Sequence, residues 1–95
     1  MRNLILDGTN WKTSDDFYDA FFKAVGAPGW HGRNFNALRD SITVGRINEI
    51  ELPYVIVISG FDEMAPEARN TVKDFCNLIK EFRSKGHEVD VVCQR

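Results

Sequence analysis

The residues with the richest chemistry fall within fourteen positions, Ala27-Pro-Gly-Trp-His-Gly-Arg-Asn-Phe-Asn-Ala-Leu-Arg-Asp40. His31 could serve as an acid or base, with Asp40 orienting it and Arg33 or Arg39 stabilising charge. Such a hydrolase needs two titratable groups with separated pKa values. The other histidine, His87, lies far along the chain, after a long helical pattern. No serine or cysteine occupies a nucleophile elbow, and no acidic pair forms a metal clamp. A phosphate site would use Gly29, Gly32, Arg33 and the free N–H groups of a helix opening after Asn34. Gly-Trp-His-Gly, however, is neither a Walker nor a dinucleotide pattern, and it follows no strand. No catalytic residue, metal or cofactor is assigned.

Taken singly, the remaining groups have plain explanations. Trp30 reads as an anchor packed on the fold, His31 as a surface histidine, and Asp40 as a solvated helix residue. Taken together they form a Pro/Gly-punctuated loop that carries aromatic and polar groups into a helix, a display surface for something outside the protein. Cys76 falls in a helical pattern and Cys93 in a strand pattern, without a Cys-x-x-Cys or His pair to make a zinc site. They read as two buried free thiols of a cytosolic protein rather than a disulfide.

The elements that must position these groups follow from periodicity. Leu4-Ile5-Leu6 before Asp7-Gly8 predicts a buried strand ending in a turn. Thr13, three positions ahead of Asp16, opens a helix whose apolar stripe is Phe17, Phe21 and Val25, with Tyr18 and Phe22 beside it. Gly26 and Pro28 end that helix. A second helix starts after Asn34, burying Phe35, Leu38 and Ile42. At about 100° per residue, Asn36, Asp40 and Thr43 share another face, with Arg39 at its edge. A polar stretch from Val44 to Pro53 follows.

Tyr54-Val-Ile-Val-Ile58 lacks polar alternation and predicts a central strand covered on both faces. Asp62 to Met64 reads as a short connection or helical turn. Pro66 opens a long helix with Ala68, Val72, Phe75, Ile79 and Phe82 facing inward, closed by Gly86 after Lys80, Arg83 and Lys85. Val89 to Cys93 is a final strand. Links this long between strands imply parallel pairing, and hence a small α/β domain with about three strands.

Composition bounds the function class. The 95 residues make a single domain, 1–95, with 43% hydrophobic content, ordinary for a soluble globular fold. A formal charge of −2 argues against direct nucleic-acid binding, which needs a clustered positive surface. No run approaches the length of a membrane span, and the start of the chain does not read as a signal peptide.

The opening segment resembles the signature of the barstar family of ribonuclease inhibitors. The pattern is an aromatic, an aromatic or His, Gly, any residue, Asn, an apolar residue, Asp or Asn, Ala-Leu, any residue, Asp. Here it is Trp30-His31-Gly32-Arg33-Asn34-Phe35-Asn36-Ala37-Leu38-Arg39-Asp40. The Phe-rich helix before it, Leu52-Pro53 ahead of the central strand, and the long helix ending in Lys85-Gly86 keep the family's order. The resemblance implies a two-layer α/β fold with a three-stranded parallel sheet in order 1-2-3 and about three to four helices. It implies no enzymatic activity. It implies instead a cytoplasmic bacterial immunity protein that plugs a secreted or toxin ribonuclease with helix 2 and the loop before it. The alternative is a non-inhibitory interaction module that reuses the fold, since fold does not fix function.

In that mode Asp40 enters the nuclease's phosphate-binding site as a phosphate mimic, Trp30 is the aromatic contact, and Gly32 allows a close backbone approach. Asn36 and Glu81 fall on acidic positions of the family, and His31, Asn34, Arg39 and Thr43 complete the implied partner-binding set. Several charges depart from the family. Asn36 is neutral, Arg33 and Arg39 stand where an acid and a tryptophan occur, and Lys85 replaces an acid. Residues Ala27 to Asn48 carry a net charge of +2. Like charges across an interface cost several kcal/mol, so the expected nuclease differs from barnase in charge pattern.

Overall fold

In the computed structural model, residues 2–27, 32–44 and 48–95 are described. The chain runs β1 (Arg2–Asp7), α1 (Ser14–Val25), α2 (Phe35–Thr43), β2 (Tyr54–Ser59), a 3-10 turn (Phe61–Glu63), α3 (Pro66–Ser84) and β3 (Val89–Cys93). The three strands form one parallel sheet in order β1-β2-β3. This is the small α/β architecture expected.

Local chemistry sets the helix ends. Thr13 and Asp16 form a reciprocal capping box, with the Thr13 hydroxyl accepting from the Asp16 N–H and the Asp16 carboxylate accepting from the Thr13 N–H. That carboxylate also accepts from the Lys12 N–H at 2.8 Å, and these two backbone bonds hold its pKa below the usual carboxylate value. Gly26 closes α1 at φ +70, where only glycine sits without strain, and Pro66 occupies the first turn of α3.

The expectation that β2 is covered on both faces is wrong. Tyr54, Ile56 and Ile58 are buried, while Val55, Val57 and Ser59 between them are only half-buried. The register extends this alternation across the sheet. Leu6, Ile58 and Cys93 share one side, and Ile5, Val57 and Val92 share the other, where Ile5 is 66% exposed. The helices therefore cover one face only, and a run without polar residues reflects an apolar open face rather than a second layer.

The core lies between that single layer and the sheet. Phe17, Phe21 and Phe75 are fully buried, with ring centroids 4.9 Å apart for Phe17–Phe75 and 5.5 Å for Phe21–Phe75. Each aromatic of this kind removes about 150–250 Å² from water, so α1 and α3 are fixed to one another through these rings. The thiols depart from their expected burial: Cys76 is half-buried and Cys93 exposed, both free.

Candidate protein-binding face

Helix α2 is short, and its placement comes from three directions. Leu38 and Ile42 insert into the core, and Phe35 meets Tyr18 of α1 edge-on at 6.2 Å. Asn34 caps the start, its Oδ1 accepting the Ala37 N–H at 2.8 Å. At the other end Ser41 is buried, and Asn48 Nδ2 donates to its carbonyl at 2.6 Å and its hydroxyl at 2.7 Å. The segment after Asn48 then returns to α1: the Glu49 N–H donates to Gly26 O and the Ile50 N–H to Val25 O. Both stems of the loop between α1 and α2 are thereby held. A Cβ on Gly26 would stand 2.7 Å from Glu49 Cβ, a second reason for glycine there.

The expected face is present in α2. Asn36 and Asp40 are exposed, and Thr43 is half-buried with its hydroxyl donating to Arg39 O at 2.7 Å. Gly32 is exposed ahead of the cap; a Cβ there would lie 2.8 Å from Asn34 Nδ2. The expectations for Trp30 and His31, and residues 45–47 of the polar stretch after α2, fall outside the described residues.

Charge pairing on this face changes the reading of its sequence. Arg39 turns away from Asp40, pairing with Glu81 of α3 at 3.3 Å and lying over the Phe82 ring at 5.8 Å from its centroid. Glu81 is shared with Lys85, 3.6 Å away. Arg33 pairs with Asp19 of α1 at 2.6 Å, and that carboxylate holds the guanidinium's proton more firmly. The net charge of +2 counted along Ala27–Asn48 is therefore not the charge of the face, because acids from α1 and α3 offset two of its arginines. Among the described residues, the exposed Asp40 carboxylate has no side-chain partner.

Between α2 and α3 runs a groove of about 430 Å³ lined by Phe35, Arg39, Asp74, Asn77, Leu78 and Glu81. The sequence reading placed Arg39 and Glu81 on the face but missed Asp19, Asp74 and Asn77. No local signal marks these three, since they look like ordinary polar positions of amphipathic helices. Among the described residues no group of three or more His, Cys, Asp or Glu side chains is placed to hold a metal ion, and no helix is long and apolar enough to cross a membrane.

Residues 1–94 match the family described as Barstar (barnase inhibitor). A Bacillus subtilis (strain 168) protein named "Putative ribonuclease inhibitor YrdF" is 26% identical over 95 residues, covering 85% of this chain and all of the relative.

Proposed function

The chain belongs to the barstar family, whose members are inhibitors rather than enzymes, and on that premise we propose that it inhibits a ribonuclease or nuclease toxin through α2 and the loop before it. The observation that carries this is the state of Asp40. It is an exposed carboxylate on a helix fixed by core packing, and the neighbouring arginines are already engaged with other acids. A carboxylate so displayed carries the same negative charge as the substrate phosphate that a nuclease cleft holds, at little ordering cost on binding. Trp30, His31, Gly32, Asn34, Asn36, Thr43 and Glu81 form the surrounding contact set.

The balance of charge favours a nuclease less cationic than barnase. Among the described residues Asp40 has no side-chain partner to offset its negative charge, while Glu81 is offset by Arg39 and Lys85. An immunity role in the cytoplasm of the producing cell follows from this reading.

The test is to capture a small nuclease with this chain by pull-down and to titrate its inhibition by ribonuclease assay. Stoichiometric inhibition is expected, and Asp40→Ala should weaken it by about 2 kcal/mol or more, roughly thirtyfold in Kd. Trp30→Ala should weaken it as well. Inhibition left intact by both substitutions overturns the interface. Tight binding of a non-nuclease protein through α2, without inhibition of any nuclease, overturns the inhibitory function in favour of an interaction module.

A further inference from the structure

Cys76 of α3 and Cys93 at the end of β3 are 17 residues apart in sequence, yet their Sγ atoms lie 3.3 Å apart. Two anchored elements impose this meeting. Cys93 shares the helix-facing row of the sheet with Ile58, so its side chain projects toward α3. The backbone just beyond it is clamped: the Gln94 N–H donates to Ile58 O at 2.7 Å, and Gln94 O accepts from the Phe61 N–H at 3.1 Å. Cys76 follows the fully buried Phe75 and precedes Ile79, also fully buried, so its helix is seated on the core. Neither sulfur reaches the other by chance motion of a loose loop.

The two thiols differ in access. Cys93 is exposed and Cys76 half-buried, so a reagent from solvent meets Cys93 before Cys76. They open on a groove of about 380 Å³ that is also lined by Phe61, Val72, Lys73 and Lys80. Two lysine ammonium groups beside an apolar floor suit a small organic molecule carrying negative charge. The sulfurs lie within hydrogen-bond distance, where either thiol could donate; their mutual contact favours the Cys93 thiolate and, together with burial, pushes the Cys76 thiol up. The more acidic thiol is thus the more accessible one, the combination that makes a cysteine reactive.

We propose that Cys93 and Cys76 form a reversible thiol–disulfide site for small anionic disulfides, with Cys93 the attacking thiol and Cys76 the resolving one. The Cys93 thiolate attacks one sulfur of a disulfide RSSR, forming a Cys93–SR mixed disulfide as the old S–S bond breaks and releases RS⁻. Cys76 then loses its proton to water and attacks Cys93 Sγ, forming the Cys76–Cys93 bond and expelling a second RS⁻. The protein loses two electrons and RSSR gains them, leaving two thiols after protonation. The product ties α3 to β3. None of the α2 face residues takes part, so the site stands apart from the inhibitory reading.

Oxidised glutathione is the probe for the native chain, followed by intact mass and by alkylation of remaining thiols. The wild type should lose about 2 Da and both alkylatable thiols. Cys76→Ser should stop at a gain of about 305 Da, one glutathionyl group on Cys93. Cys93→Ser should react about tenfold more slowly, since the remaining thiol is protonated and shielded. The Lys73→Gln/Lys80→Gln double variant should slow the reaction with oxidised glutathione but not with neutral hydroxyethyl disulfide. Circular dichroism and melting temperature confirm that each variant is folded. Wild type that keeps both thiols, a mixed disulfide that persists in wild type, or modification of Cys76 ahead of Cys93 overturns the proposal.

Discussion

Helices α3 and α2 are both amphipathic, yet they do opposite work. Over 19 residues α3 buries Ala68, Thr71, Val72, Phe75, Leu78, Ile79 and Phe82; over nine residues α2 buries Leu38, Ser41 and Ile42. The long helix makes the core, and the short one is held by it. Their starts differ the other way: α3 opens at Ala65 and Pro66 without a side-chain cap, held by its packing, whereas Asn34 caps the short α2. Few buried positions suffice to hold so short a helix. The rest of its surface is free for polar groups whose partners are elsewhere.

Substitutions can break or sharpen this contrast. The largest expected effect is in the core: Phe75→Ala should cost about 3–5 kcal/mol, read as a shifted denaturation midpoint with unchanged slope. A cost below about 1 kcal/mol would mean that the aromatic stack does not join α1 to α3. Next, Asn34→Ala should cost about 1 kcal/mol by loss of the α2 cap, and should weaken partner binding besides. Equal loss of stability with no loss of binding would separate the cap from the display face. Arg39→Gln should change stability by less than about 1 kcal/mol, because its pair with Glu81 is close to half exposed at both ends. Measured with the cognate nuclease, the same change tests whether freeing Glu81 alters the salt dependence of association.

The smallest effect is a matter of pH. The folded-state pKa of Asp16 is lowered, so its charge stabilises α1 above the unfolded-state value of about 4, and that stabilisation fades as the pH falls through the folded-state pKa. The stability difference between wild type and Asp16→Asn should therefore be present at neutral pH and vanish in acid. A difference that persists once the carboxylate is protonated would show that shape, not charge, supports this end of α1.

Much of the fold is legible because its causes are local. The Thr13 and Asn34 caps, the Gly26 stop, and the 4-3 spacing from Ala68 to Phe82 each act through neighbouring backbone groups, so composition and spacing reveal them. The exposure of Asp40 was legible for the same reason: turning about 100° per residue puts it opposite Leu38 whatever lies around the helix. The coverage of β2 was misread because apolar side chains mark a strand as well suited to burial but do not show which layer is present. The cysteines are free thiols as expected, but less buried than expected, because a pattern places them on elements without saying how deeply or how closely those elements pack.

By itself the sequence determined the helices, the strands and the residues that α2 turns outward, since these follow from backbone periodicity and side-chain shape. The long links implied parallel pairing, and the 1-2-3 order came from the family resemblance. Only the tertiary structure decided which charges are spent. Arg33 finds Asp19 fourteen residues back along the chain, and Arg39 finds Glu81 across the fold. Electrostatic pairing depends on distances of a few ångströms between remote segments, and no local signal carries such distances. The same holds for Cys76 and Cys93. Among the described residues, folding therefore leaves the exposed Asp40 without a side-chain partner, and it brings two separate thiols together at the edge of the sheet.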